Sequence, residues 1–151
     1  MDNEYFRIID LEKYETKDIH DQHVNGSLTV VWRDWDNIIP DEFKTVYITS
    51  ANPGEIKGPH LHTKRISYFV CIHGEIVFVI QKKSGEYQEI RVNADKPVLI
   101  VIPKNIPTAH INVNNGVSRI LALADISWKP NDGEMKNVLF NDYDWNKWEK
   151  N

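Results

Sequence analysis

A chain of 151 residues is enough for one domain, which at this size buries about 70% of the surface its unfolded form exposes, and a single domain over residues 1–151 is expected. Its 18 basic and 22 acidic side chains give a formal charge of −4 and a pI near 5.8 with no long block of Lys or Arg, so nucleic-acid and anionic-membrane surfaces are disfavoured. The opening run Met1-Asp2-Asn3-Glu4-Tyr5 lacks the basic and apolar regions of a signal peptide, and no apolar run approaches the ~20 residues of a membrane span; a cytoplasmic location is expected.

Short runs of β-branched and aromatic residues recur between turn signals. In chain order they predict strands over residues 28–32, 43–50, 67–72, 75–81, 87–92, 98–102, 110–113 and 118–124. Turn residues punctuate them at Asn25-Gly26, Asn52-Pro53-Gly54, His73-Gly74, Lys83-Ser84-Gly85, the 103–107 stretch and Asn114-Asn115-Gly116. Cys71, the single cysteine, precludes an internal disulfide and sits in the apolar run Tyr68-Phe69-Val70-Cys71-Ile72, where a buried thiol is expected. Residues 142–150 form either one short helix, with Trp145 and Trp148 on a shared face, or a segment laid across the strands. The predicted fold is all-β: a jelly-roll β-barrel with that short tail, and a cavity in the barrel mouth.

The run Gly58-Pro59-His60-Leu61-His62 carries the clearest chemical signal. In a strand, residues i and i+2 point to one face, so an extended run aims two imidazoles into one space. Neutral imidazole ligates metals, and its pKa near neutrality also suits proton transfer. Metal-binding barrels of this kind follow the pair with a glutamate a few residues on. Here that stretch reads Thr63, Lys64, Arg65, Ile66 and Ser67, and two cations there oppose a divalent metal.

Four segments, Asn25-Gly26-Ser27-Leu28, Phe43-Lys44-Thr45-Val46-Tyr47-Ile48, the run from Pro53 through His60 and His62 to Lys64, and Val70-Cys71-Ile72-His73-Gly74, resemble in order those of the sugar-nucleotide cupins. These RmlC-like isomerases are related to dTDP-4-dehydrorhamnose 3,5-epimerase and to the dTDP-sugar 3,4-ketoisomerases. The resemblance implies proton abstraction beside the ketone of a nucleotide-diphosphate 4-keto-6-deoxyhexose, dTDP-linked, feeding deoxysugar and surface-polysaccharide synthesis. It implies no metal and no cofactor, and a homodimer. By position it assigns His60 as the base, His62 as a second proton-transfer group and Tyr47 as a donor to the substrate. Two departures mark a separate branch: the turn before His110 is lengthened to Pro103-Lys104-Asn105-Ile106-Pro107, and residues 114–128 lack the tyrosine the epimerases carry there.

Around that core stand candidates with two readings each. Lys64 and Arg65 either grip a pyrophosphate or form a solvated charge pair, and Lys57 is a weaker version of the same. His110, aligned only loosely across the lengthened turn, is a candidate substrate contact or no part of the site. Arg33 and Arg119 either reach a phosphate or pair with a buried acid. Tyr68 and Phe69 either stack on the base or belong to the core. Asp125 is a candidate for orienting a histidine, and His20, His23 and His73 are read as polar surface. Two alternatives stand beside the isomerase: a metal-dependent cupin, dioxygenase or isomerase, held by His60, His62 and His110, and a non-catalytic nucleotide-sugar-binding cupin.

Overall fold

A computed structural model of the chain describes residues 6–37 and 42–149. Among them, in chain order, are β1 (Arg7–Asp10), β2 (Lys13–Lys17), β3 (Val24–Thr29), a 3-10 turn (Asp34–Asp36), β4 (Thr45–Ala51), β5 (Ile56–His62) and β6 (Ser67–His73). They continue with β7 (Glu75–Gln81), β8 (Tyr87–Asn93), β9 (Val98–Ile102), β10 (Thr108–Asn112), β11 (Ser118–Ala124), β12 (Met135–Asn137) and a 3-10 turn at Trp145–Trp148. Two five-stranded antiparallel sheets, ordered β1-β9-β6-β11-β4 and β12-β5-β10-β7-β8, face each other, and β2 and β3 form a separate hairpin. This is the jelly roll expected from the sequence. No helix among the described residues is long and apolar enough to cross a membrane.

Alternation within each strand builds the layers. Cys71 of β6, Ile76, Phe78 and Ile80 of β7, Ile90 and Val92 of β8, Ile100 and Ile102 of β9 and Ile120 of β11 meet between the sheets. Each fully buried side chain of this size contributes roughly 1.5–3 kcal/mol. On the outer face of the first sheet, Tyr68, Leu99, Val101 and Leu123 are covered by Ile9, Leu11, Val31, Phe43 and Ile66. On the outer face of the second, Val77, Val79, Ala109 and Ile111 are covered by Phe140, Tyr143, Trp145 and Trp148. A strand covered on both faces has no use for polar alternation, which is why Ile76-Val77-Phe78-Val79-Ile80 is continuously apolar.

The tail takes the second of its two expected courses: it lies across the sheet, and in place of a helix over the segment there is a four-residue 3-10 turn, capped by the Asp144 carboxylate, whose Trp145 and Trp148 pack on that sheet. Lys150, the last residue of the expected helix, lies outside the described residues. Strands predicted at 75–81, 98–102 and 118–124 form with those bounds, whereas the strand predicted at 28–32 is displaced to Val24–Thr29. Asn25-Gly26 lies inside β3 because the turn is made earlier: the Asp18 carboxylate accepts from the His20 and Asp21 N–H groups, and Gln22 takes φ 62°. Cys71 is buried, and that burial pushes its thiol up to about 11.

Candidate active site

The two sheets splay at the end where β6 begins and β11 finishes, leaving a cavity of about 880 Å³. β5 supplies its imidazoles. Across from the β5 segment 57–60 the paired segment of β10 is one residue shorter, since Thr108 pairs with His60 but His110 with Lys57. The extra residue is a β-bulge, and a bulge reverses the facing of everything beyond it. Lys57 thereby lines the same cavity as His60 and His62 despite its odd spacing. Gly58 makes this possible: it holds φ +88°, and a Cβ there would stand 2.9 Å from the Thr108 carbonyl oxygen.

His62 is held at both ring nitrogens. Nδ1 lies 2.6 Å from Glu134 Oε1, and Nε2 lies 2.8 Å from Arg65 Nη2. Guanidinium has donors and no acceptor, so Nε2 accepts and the ring proton sits on Nδ1, donated to Glu134. Arg65 is 7% exposed; its Nη2 also donates to the Tyr47 hydroxyl (3.1 Å) and its Nε to Ser67 Oγ (3.2 Å). Glu134 is equally enclosed, and its second oxygen accepts from the Lys64 and Arg65 N–H groups. Burial alone would raise its pKa; His62 and those two N–H groups outweigh it and leave the carboxyl below its ordinary value. Burial draws His62 down, Glu134 opposes and Arg65 adds to the fall, with a net lowering.

His60 differs. Its ring stands 5.7 Å from that of His62, edge to face, and among the described residues it makes no hydrogen bond. Burial lowers its pKa first, followed by repulsion from His62, Arg65 and Lys57. At neutral pH it is therefore an unprotonated imidazole with its ring nitrogens unclaimed, the condition a general base requires. His110, packed on Phe78 at 5.5 Å, is pushed down to about 4 by burial and then by Lys57 and His60, so it stays neutral.

The structure brings together His60, His62, Tyr47, Arg65, Lys57 and His110 around one cavity. It does not bring Lys64, Arg33 or Arg119 there. Lys64 is exposed and does not line the cavity. Arg33 pairs with Glu12 (3.0 Å) and Asp36 (2.9 Å), with Trp35 under its guanidinium; Arg119 is exposed on β11, opposite Ser50 and His73. Arg65 is not a solvated charge: it ties Tyr47 to His62. Phe69 lines the cavity, while Tyr68 is core on the outer side of its sheet. Asp125 accepts from the Ile66 N–H and orients no histidine. His20, His23 and His73 are exposed, as read. Lys57 Nζ donates to Thr49 Oγ1 (2.7 Å) and to the Ser50 carbonyl (3.0 Å). The trio of potential metal ligands gathered within 4.8 Å among the described residues is Asp18, Asp21 and His23 in the β2–β3 turn, not the three cavity histidines.

Glu134 is the residue that sequence reasoning missed. It arrives through β12, which pairs Met135 with His62, and its own carbonyl accepts from Thr63 N and Oγ1. No signal near the histidine pair could have found it, because this carboxylate lies 72 residues away and meets His62 through a hydrogen bond made only in the fold.

The family described as FdtA: WxcM-like, C-terminal matches residues 6–143. The chain belongs to this family. Spore coat polysaccharide biosynthesis protein SpsL of Bacillus subtilis (strain 168) is 24% identical over 131 residues, covering 80% of this chain and 86% of the relative. A dTDP sugar isomerase from Desulfovibrio desulfuricans G20 superposes with TM-score 0.79 at 15% identity, over 93% of this chain and 90% of that one. QdtA, a sugar 3,4-ketoisomerase from Thermoanaerobacterium thermosaccharolyticum solved in complex with TDP, gives 0.69 at 21%, over 87% and 86%. At these identities the likeness to the two solved structures is one of fold, and it extends nearly the length of this family member.

Proposed function

We propose that this protein is a metal-independent isomerase of a nucleotide-diphosphate 4-keto-6-deoxyhexose, dTDP-linked, working in the synthesis of a deoxysugar for a surface polysaccharide. The observation that carries the reading is the asymmetry of the two imidazoles: His60 neutral and unclaimed, His62 locked between Glu134 and Arg65 in the same cavity. A ketone acidifies the hydrogens of the neighbouring carbons. His60 removes one as a proton, the electron pair moves into an enolate, and a donor must steady the oxygen where charge gathers. Arg65 and the Tyr47 hydroxyl it holds supply that donor. His62, already protonated on Nδ1 against Glu134, takes up and returns the second proton through Nε2 once Arg65 turns to the oxyanion. Reprotonation of the same carbon from the other face gives an epimer; reprotonation at the former carbonyl carbon moves the ketone from C4 to C3.

The names of the relatives support this reading, a dTDP sugar isomerase, a 3,4-ketoisomerase bound to TDP and a spore coat polysaccharide protein. A diphosphate anion does not cross a bilayer unaided, which fits a cytoplasmic enzyme. A homodimer goes with the reading: β4 is an edge strand whose Val46 and Ile48 are 58% and 60% exposed, and covering such an edge disposes of its unpaired backbone groups. Incubation with dTDP-4-keto-6-deoxyglucose in deuterated water tests the chemistry. Deuterium at C3 or C5 with inverted configuration identifies an epimerase, and a 3-keto product identifies a ketoisomerase. Absence of exchange at every sugar carbon would sink the reading in favour of a binding protein.

A further inference from the structure

The segment between β11 and β12 crosses the cavity mouth, and both its ends are pinned. At its start, Thr45 Oγ1 donates to the Ile126 carbonyl (3.0 Å) and accepts from the Trp128 N–H (2.8 Å). At its finish, Glu134 holds His62 and the 63–65 backbone. Between these anchors, Trp128 and Lys129 line the cavity, and the indole is 67% exposed. Other exposed tryptophans have found partners: Trp35 lies under the Arg33 guanidinium and Trp32 meets Phe43 edge-on at 5.1 Å. Among the described residues, no ring or cation covers Trp128. A large apolar face left in water on a fixed backbone, at the rim of a cavity, is a surface prepared for a flat ligand group.

The cavity has room for such a group. Ligand pockets range over roughly 300–1,000 Å³, so 880 Å³ exceeds what one sugar ring fills. The groups given roles at the sugar, His60 and His62 for proton transfer and Tyr47 and Arg65 for the oxyanion, are all at least partly buried, leaving the remainder of a nucleotide sugar to run outward. Of the cations considered for a phosphate, Arg65 is held by Tyr47 and Ser67 and serves the sugar, Lys57 donates to Thr49 and the Ser50 carbonyl, and Lys64, Arg33 and Arg119 do not line the cavity. Lys129, exposed and adjacent to Trp128, does line it.

We propose that the 127–133 segment is the specificity element for the nucleotide half of the substrate, with the Trp128 indole stacking on the base and the Lys129 ammonium meeting the diphosphate. The assignment rests on the isomerase reading and adds to it a division of the ligand: base and phosphates at the rim, sugar within. Stacking is tolerant of base identity because every base offers a π face, so the element recognises a nucleoside diphosphate as a class. Lysine meets phosphate as a point charge, without the paired geometry of arginine.

Calorimetric titration of the full chain with dTDP tests this, using wild type, Trp128→Phe, Trp128→Ala and Lys129→Gln. Base stacking lost to alanine weakens binding by about tenfold or more, while Trp128→Phe, which keeps an aromatic face, stays within about threefold. Lys129→Gln weakens dTDP binding and flattens its dependence on salt. With the 4-keto sugar nucleotide, Trp128→Ala raises KM by more than it lowers kcat, because its contacts are the same in ground and transition states. Unchanged dTDP affinity in Trp128→Ala overturns the proposal and leaves the isomerase reading standing, provided wild type still exchanges sugar protons. A shift in oligomeric mass without a change in dTDP affinity overturns it in favour of an interface between copies. Failure of wild type to bind dTDP at all removes both.

Discussion

The two ends of the barrel hold buried polar networks of similar size and opposite design. At the closed end, Asn112 donates to the Ala51 and Gly116 carbonyls, both at 2.8 Å, and accepts from Ser118 Oγ, which in turn accepts from the Glu75 N–H. Most of these contacts end on backbone, no charge is buried, and Gly74 gives the room, since a Cβ there would collide with Ser118. At the open end, the chain Glu134–His62–Arg65–Tyr47 ends on titratable side chains facing a cavity, beside an imidazole with no partner. A network closed on backbone fixes a fold. One closed on side chains around an unpartnered imidazole costs desolvation, which is the pattern expected of a functional site.

The sharpest way to break this contrast is to remove the unclaimed ring. His60→Asn keeps size and polarity but cannot take a proton at neutral pH, and proton abstraction should fall about 10²–10⁴-fold while thermal stability changes little. Measuring deuterium incorporation alongside Tm separates the two. Exchange at the wild-type rate would transfer the base role to His62. Next in size is Glu134→Gln. The carboxylate accepts on both oxygens, from His62 on one and from two N–H groups on the other. An amide has one accepting oxygen and turns a donor toward one of those partners, so His62 loses its orientation; we expect a loss on the order of 10²-fold in kcat. An unchanged rate would show that His62 needs no carboxylate.

The same contrast explains what could be read in advance. His60 and His62 share a face because they lie two apart in a strand, and β7, β9 and β11 declare themselves by apolar content, so these elements follow from local rules. Glu134 does not, since its partner is 72 residues away and β12 is three exposed residues long, held by pairing with β5 and not by its own pattern. Lys57 faces the cavity only because of a bulge that a two-residue period cannot foresee. Arg65 was visible as a cation near the histidines, but its burial depends on where Tyr47 and Ser67 stand in two other strands. Arg33 reads alike in sequence and is spent on Glu12 and Asp36 far from the cavity.

A change at the closed end should move the other observable. Asn112→Ala removes the amide donor from the Ala51 and Gly116 carbonyls and the acceptor from the Asn114 N–H, at about 1–3 kcal/mol, while Ser118 Oγ keeps its bonds to Glu75. Urea unfolding should show that loss, with exchange per folded molecule unaltered. A fall in specific activity without a loss of stability would mean that the two ends are coupled.

Acid should act selectively on the open end, where the depressed histidines are. His110 carries a folded pKa of about 4 against 6.5 for the free side chain, held down by its burial against Phe78 and by Lys57 and His60. Because the unfolded chain binds the proton more readily, this contribution is intact above pH 6.5, declines as pH falls, and is gone by about pH 4. Over that window the neutral ring forfeits at most roughly 3 kcal/mol. His110→Asn should therefore lose less stability than wild type between pH 7 and pH 4.5, with urea midpoints giving the difference. The carboxylates, Glu134 included, act equally in both proteins and cancel. His60 is also depressed, so the acid limb of kcat/KM should fall below the ordinary histidine value of 6.5. A limb above that value would speak against both β5 histidines as the base, since His62 too is lowered on balance despite its Glu134 partner.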